Sequence, residues 1–355
     1  MKIAVGISGG VDSAVAALLC KEQGHEVIGV MMKIWDERFA DHKCDPERDA
    51  CFGPEETCIE DASKICDQIG IPLHLIDCST QFQSEIISYF SDSYLSGITP
   101  NPCVYCNQKL KFGLLPKLLF DNVSDIDKFA TGHYAQLIHD QSGQPHLHRG
   151  ADLQKDQSYF LHRLTREQLS MACFPIGHLT KKQVRQIAYE AKIHVWDKHE
   201  SQDFYSGDYR TLINTESRSV CHGDIIDTTG RKIGVHNGIW NYTVGQRKGL
   251  GVSSKEPLYV VEIDPVNNAV IVGNSSELQT GEIVIGNLNQ LEPFPLAAAC
   301  RIRSSSPFYK CTISDYSESK LLLKFDAPIG GASPGQSAVL YDGDMVLGGG
   351  VIERK

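Results

Sequence analysis

The sequence predicts an α/β protein: an N-terminal Rossmann-like domain on a parallel sheet, then a small β-rich central domain, then a C-terminal β-barrel. Three observations carry this expectation. Over the first 130 residues, apolar strand-like runs alternate with helical stretches, the pattern of a parallel sheet covered on both faces. Near 205–215 the composition shifts, as glycine, aspartate and turn residues become frequent. From about 222 onward, short strand-like runs are punctuated by turn signals. The expected domains are 1–210, 211–282 and 283–355.

In chain order, strands are expected at 2–7, 26–32, 73–77 and 128–131, and helices at 12–23, 55–69, 81–95 and 108–120. Gly24 ends the first helix, since glycine readily adopts the left-handed conformation of a helix C-terminus. Two further helices are expected near 165–173 and 180–192. The central module is marked by Gly230, Asn237-Gly238, Gly249, Asp264-Pro265, Asn267-Asn268, Gly273 and Gly281. A break near 280–295, with Pro293 and Pro295, precedes barrel strands at 298–304, 308–315, 320–326, 337–341 and 345–352.

With 355 residues and 41% hydrophobic content, the chain can bury a sizeable core. No apolar stretch of about 18 residues and no secretory leader is evident, so a cytoplasmic protein with no membrane partner is expected. In a reducing compartment most of the twelve cysteines should be free thiols. The net charge of −10 does not decide for or against nucleic acid, because phosphate contacts depend on local patches.

Ser8-Gly9-Gly10-Val11-Asp12-Ser13 follows the apolar run Lys2–Ile7 and opens a helix. Two glycines let backbone N–H groups approach an anion, and the positive helix end points at the same place. A plain turn capped by Asp12 or Ser13 is the alternative. The loop lacks the Gly-Lys-Ser/Thr of a Walker motif and the three spaced glycines of a dinucleotide fingerprint. SGGVDS instead resembles the PP-loop of the ATP pyrophosphatases, which cleave ATP between the α- and β-phosphates. That resemblance implies that Ser8, Gly9, Gly10 and Ser13 hold pyrophosphate and that Asp12 helps position Mg²⁺.

Thr99-Pro100-Asn101-Pro102-Cys103-Val104-Tyr105-Cys106-Asn107 has two prolines that favour an extended, exposed path before the next helix. A helix N-terminus, Lys109 and Lys111 should lower a thiol pKa there and favour a reactive thiolate. A zinc half-site or incidental cysteines are the alternatives.

SGGVDS, TPNPCVYCN, TGHYA at 131–135, KDQSYFL at 155–161, TVGQRKGLG at 243–251 and SPGQSAVLYDGD at 333–344 together resemble the bacterial tRNA-uridine 2-sulfurtransferases over essentially the whole chain. The resemblance implies ATP-dependent adenylation of the C2 oxygen of the wobble uridine, then sulfur delivery from an enzyme persulfide with loss of AMP. Gly6 to Ser13 would hold phosphates, Met32 would pack on adenine, and Gly132 would line the nucleotide pocket; Met32 read alone is simply core. Cys106 takes the nucleophile position, and Asn101, Pro102 and Cys103 touch the target base. Position 103 is often an aspartate in the family, so Cys103 creates a Cys-x-x-Cys pair able to exchange sulfur or form a disulfide.

The family's persulfide cysteine follows a segment like Glu200-Ser201-Gln202-Asp203-Phe204, where this chain has Tyr205. Tyrosine cannot carry a persulfide. Sulfur must pass through Cys103 and Cys106 alone, borrow another thiol, or come from an iron–sulfur cluster. Cys44, Cys51, Cys58 and Cys66 offer further ligands at weak spacing.

The anticodon stem-loop of tRNA is the expected partner, because a wobble base must be splayed out to expose C2. A persulfide donor, such as a cysteine desulfurase or relay protein, is the other. The resemblance carries tRNA contacts onto His133, Lys155, Asp156, Gln157, Arg303, Ser304 and Gln336. Lys181, Lys182, Arg185, Arg247, Lys248 and Arg301 are candidate phosphate grips. Trp240 and Tyr242 could stack on RNA but read more simply as core. Other adenylating PP-loop enzymes, such as GMP or argininosuccinate synthetases, explain neither the cysteine loop nor the β-rich tail. A tRNA-binding protein that has lost its chemistry is the remaining alternative.

Overall fold

The computed structural model describes residues 1–34, 55–123, 125–200, 204–205, 208–213 and 222–354. Cys44, Cys51 and residues 201–203 of the Glu200–Phe204 segment lie outside the described residues. The chain divides into two compact units: Met1–Ile86 with Cys103–Asp208 and Asp344–Val346, and Ile87–Pro102 with Tyr209–Gly343 and Leu347–Lys355.

The first unit is Rossmann-like, as its alternating pattern predicts. Strand β1 (Lys2–Gly6) leads into helix α1 (Val11–Glu22), then β2 (Glu26–Lys33), α2 (Glu55–Ile69), β3 (Leu73–Asp77) and β4 (Lys128–Ala130). Gly24 follows α1 at φ +81°, the left-handed helix end that its residue type foretells. All pairings are parallel, in the order β3-β2-β1-β4, with β1 matching Ile3 to Val27 on one side and Ile3 to Lys128 on the other. The core is Ile3, Val5, Ile7, Val11, Val15 and Ala16 against Ile65, Ile69 and Val184. A hairpin of β5 (Ala135–His139) and β6 (Pro145–Arg149) and a short β7 (Ala172–Cys173) beside β4 follow; none of these three strands is signalled by the sequence.

Because the chain runs outward from β1 to β2 and β3 and returns to β4 on the other side, the strand order reverses between β1 and β4. In an open α/β sheet a crevice at the carboxyl ends of such neighbours is the place for a ligand.

The second unit contains a sheet of β8 (Gly223–Asp227), β9 (Lys232–His236), β10 (Tyr259–Asp264) and β11 (Ala269–Gly273), in the order β10-β11-β8-β9. Trp240 and Tyr242 are buried, in keeping with a core role. Strands β12 (Gln279–Gln290), β13 (Ala297–Arg301), β14 (Tyr309–Ser317), β15 (Lys320–Gly330), β16 (Ser337–Asp342) and β17 (Met345–Ile352) run in the order β12-β15-β14-β13-β16-β17. A further β12–β17 pairing closes them into a six-stranded barrel. The expected break near 280–295 is thus mostly strand: β12 fills it to Gln290, and only the Pro293 and Pro295 stretch connects.

All nine cysteines among the described residues are free thiols. No described helix is long and apolar enough to cross a membrane.

Candidate active site at the sheet switch point

The Ser8–Ser13 loop leaves β1 with Gly9 at φ +74°, a conformation that costs glycine little. Gly10 occupies the N-cap of α1 and no side chain caps the helix there, which overturns the capped-turn alternative. Ser13 Oγ instead accepts from Ser8 N at 3.2 Å, lies 3.3 Å from Ser8 Oγ and donates to the Gly10 carbonyl at 3.0 Å. The first amides of a helix have no partner within it. Here they are left open behind two adjacent hydroxyls, a cradle suited to a phosphate.

Asp12 sits in an ion network that spans the first unit. Its carboxylate accepts from Lys181 Nζ at 2.8 and 2.9 Å and from the Tyr134 hydroxyl at 2.7 Å. Lys181 also pairs with Glu200 at 2.8 Å, and Lys155 donates to Glu200 at 2.7 Å. Burial opposes charge on Glu200, but Lys155 and Lys181 outweigh it and hold the carboxyl below its usual range. Burial and the adjacent Asp12 push the Tyr134 hydroxyl up, so it remains a donor. Lys198 closes another side, donating to Gly9 O at 3.2 Å and to Asp61 at 2.6 Å.

Lys181 is therefore a buried partner of the phosphate loop and not a surface grip for tRNA. Arg185, donating to Lys198 O, and Arg301, held by Ser306 O and stacked over Phe308 at 5.2 Å, are likewise engaged within the fold. Lys182, Arg247 and Lys248 are exposed.

The residues after β4 meet both the phosphate loop and the cysteine helix. A Cβ on Gly132 would lie 2.6 Å from Asp12 C and 2.7 Å from Ser13 N, so a glycine is needed where this loop touches α1. Thr131 Oγ1 is 2.7 Å from His133 Nδ1, and the His133 ring packs 6.1 Å from both Phe112 and Phe174. Burial, aided by Lys111, lowers the His133 pKa to about 3, keeping the ring neutral. Gly6 closes β1 with Phe129 3.3 Å from where its Cβ would stand, and Met32 lies half-buried near the end of β2, opposite Ile76.

The cysteine segment is less extended than its prolines suggest: a helix already begins at Pro102 and runs to Cys106. Proline is well suited to a first helical turn, where its missing N–H loses nothing. Cys103 and Cys106 stand three residues apart on that helix, Cys106 buried and Cys103 half-buried. The expected low thiol pKa is not found. Burial pushes Cys103 up to about 11 and raises Cys106, and the opposing pull of Lys111 only partly offsets it. Positive charge was legible in the sequence, whereas the desolvation that outweighs it was not.

Among the other expected tRNA contacts, Asp156 is engaged internally, accepting from Gly150 N, Ser158 N and Arg149. Gln157 exchanges bonds with the Tyr134 backbone, Oε1 accepting from Tyr134 N at 3.0 Å. In the second unit, Arg303 Nη2 donates to Val244 O at 3.1 Å and Ser333 Oγ at 2.7 Å, and Ser304 O accepts from Arg301. Gln336 Nε2 donates to Pro100 O at 2.8 Å and Thr99 O at 3.3 Å, while Thr99 N donates to Pro334 O. Asn101 N bonds the Tyr89 hydroxyl at 3.2 Å. The Ser333–Gln336 loop thereby fixes the path of the residues just ahead of Asn101 and Pro102.

Residues 1–205 match a family model described as a tRNA methyl transferase HUP domain, 212–274 a tRNA methyl transferase PRC-barrel domain, and 281–352 an aminomethyltransferase β-barrel domain. Relatives named tRNA-specific 2-thiouridylase MnmA align over nearly their full lengths. One from Endomicrobium trichonymphae is 43% identical, covering 99% of this chain and 99% of its own. One from Caldanaerobacter subterraneus subsp. tengcongensis is 42% identical (100% and 98%), and one from Trichormus variabilis 40% identical (99% and 99%).

Proposed function

The chain belongs to the tRNA-specific 2-thiouridylase family, and on that premise we propose that it thiolates the wobble uridine of tRNA in the cytoplasm by adenylating the C2 oxygen and transferring sulfur through Cys106 and Cys103. The observation that carries this reading is the loop after β4, which packs Gly132 on the phosphate loop and His133 on the helical segment behind the cysteines. Activation and sulfur transfer thus share one rigid connection.

ATP fits the open amides of α1 and the paired hydroxyls of Ser8 and Ser13. Among the described residues no three carboxylates, histidines or thiols converge to hold a metal. Mg²⁺ suits this site on its usual terms, bound by substrate phosphates and one or two carboxylates, with Asp12 as the protein ligand. Among the described residues no group of three thiols, histidines or carboxylates forms around Cys103 and Cys106 to hold an iron–sulfur cluster, so no step runs through a cluster.

The chain's own groups act as follows. The loop from Gly6 to Ser13 holds pyrophosphate, Lys181 balances its charge while orienting Asp12, and attack of the C2 oxygen on the α-phosphorus expels pyrophosphate. The terminal sulfur of a Cys106 persulfide, loaded by a persulfide donor, adds to C2 and AMP leaves. The Cys103 thiolate then attacks Cys106 Sγ, breaking its bond to the transferred sulfur, which stays on C2. The resulting Cys103–Cys106 disulfide is returned to two thiols by an external dithiol. This sequence needs no cysteine at Tyr205. Asn101 and Pro102 touch the splayed base, Gln336 and Arg303 set the loops around them, and 211–282 and 283–355 serve as tRNA-binding domains.

Anaerobic incubation with unmodified tRNA, Mg²⁺-ATP, dithiol and a persulfide donor, followed by nucleoside mass spectrometry, tests the reading. Wild type should form 2-thiouridine; Cys106→Ser should release pyrophosphate on tRNA but hold AMP on the base, and Cys103→Ser should release AMP once, so that both lose turnover. Full thiolation by Cys103→Ser would remove Cys103 from the relay.

A further inference from the structure

The helix carrying the cysteines widens immediately after Cys106. Asn107–Leu114 is π-helical, with Leu115 N bonding Leu110 O five residues back. Such turns are uncommon and concentrate at functional sites. In an α-helix, residues five apart stand about 140° around the axis from each other. A turn bonded i to i+5 brings them nearly one above the other, so Lys111 comes onto the face of Cys106, five residues before it. Lys109, two residues nearer the start of the same turn, is exposed to solvent.

The wide turn is held from outside. A Cβ on Gly113 would meet Gln108 O at 2.7 Å, so glycine is required where the turn closes on itself. Gln168 Nε2 donates to that same Gln108 carbonyl at 2.8 Å, while its Oε1 accepts from Thr165 N in a capping box. Arg163 Nε donates to Gln108 Oε1 at 3.1 Å and lies 5.6 Å over the Tyr105 ring. Tyr105 of the cysteine helix and Gln108 of the segment after it are thereby pinned in one geometry.

Building on the proposed sulfur chemistry, we propose that Lys111 is the positioning cation for the reactive sulfur: the π-turn, pinned through Gln108 by Gln168 and Arg163, sets its charge beside Cys106 and Cys103 to stabilise their thiolate and persulfide anions. The charge bears on both thiols and on His133. Among the described residues, the other titratable groups facing Cys106 are Cys103 and Cys78, the latter with Asp77 beside it; these are anionic or neutral, so Lys111 supplies the favourable charge. In a buried site its pull is stronger than in water, and the thiol becomes nucleophilic when substrate binding or persulfide loading demands the anion.

The test is the pH dependence of Cys106 alkylation in the full-length protein without tRNA or ATP, read by peptide mass spectrometry. Slow access to a buried thiol scales every point alike, so the midpoint reports ionisation. Lys111→Met should move the midpoint up by about one unit, a tenfold loss of reactivity on the acid side, and Lys111→Arg should stay within about twofold of wild type, as a tenfold scale per unit allows. Lys111→Gln serves if the Met variant does not fold. Coincident profiles for wild type and a folded neutral variant, or an Arg profile displaced as far as the Met one, would overturn the proposal. Failure here leaves tRNA thiolation by wild type intact, whereas wild type that makes no 2-thiouridine sinks the functional reading whatever the alkylation profile shows.

Discussion

Replacing Gly132 by alanine tests whether the loop after β4 and the phosphate loop are one mechanical piece. The new methyl would sit 2.6 Å from Asp12 C, 2.7 Å from Ser13 N and 2.9 Å from Asp12 O, all backbone atoms of the first turn of α1. No side chain can swing aside to relieve this. Restoring ordinary carbon contacts of about 3.5 Å or more requires the two segments to part by about 1 Å. Overpacking of this kind costs about 1–3 kcal/mol, or about 2–10 °C in Tm for a unit of this size. The larger effect should be on chemistry, because a misplacement of about 1 Å at a reacting group costs about a hundredfold in rate. Isothermal titration with ATP and an assay of tRNA-dependent AMP release should show weaker binding and a rate loss of at least tenfold, alongside the fall in Tm. A Gly132→Ala protein with wild-type ATP affinity and wild-type AMP release would refute the reasoning, since the clash cannot be absorbed without moving Asp12 or Ser13.

Gln336→Ala removes both bonds to the Thr99 and Pro100 carbonyls; it should raise the KM for tRNA and slow thiolation several-fold while ATP binding is unchanged in calorimetry. Lys181→Met strips the shared cation from Asp12 and Glu200; AMP release should fall by about tenfold to a thousandfold, matching loss of one partly buried pair, and Lys181→Arg should recover part of it. His133 has a pKa lowered to about 3 against an ordinary 6.5, so the unfolded chain takes up a proton that the folded one refuses. Stability should therefore decline as pH falls from about 6.5 toward 3, and His133→Phe, measured by urea unfolding across that window, should show a flatter decline than wild type.

What the sequence made legible was local. The apolar run Lys2–Ile7, the glycines of the phosphate loop and the helix start after them are neighbours in the chain, and the structure places them as that proximity requires. Gly132 could be named only because its motif resembles a known family, and its physical reason, a backbone contact with Asp12, is 120 residues away in sequence. Lys181 shows the same limit from the other side. At the first turn of an exposed-looking helix it read as a surface charge, and nothing within that segment reveals that its ammonium turns inward to Asp12, 169 residues earlier. The cysteine loop combines both cases. Proline spacing and nearby lysines announced a constrained, positive segment, but the thiol pKa depends on how much water the rest of the fold removes, which no window of sequence contains. The π-turn is invisible for a related reason: Asn107–Leu114 has ordinary helical periodicity, and the widening is held by Gln168 and Arg163, more than fifty residues away. A bond pattern that costs the helix regular hydrogen bonds persists only where such outside contacts hold it. The sequence can therefore mark where chemistry is carried, while the charge, burial and register that tune it are properties of the assembled fold.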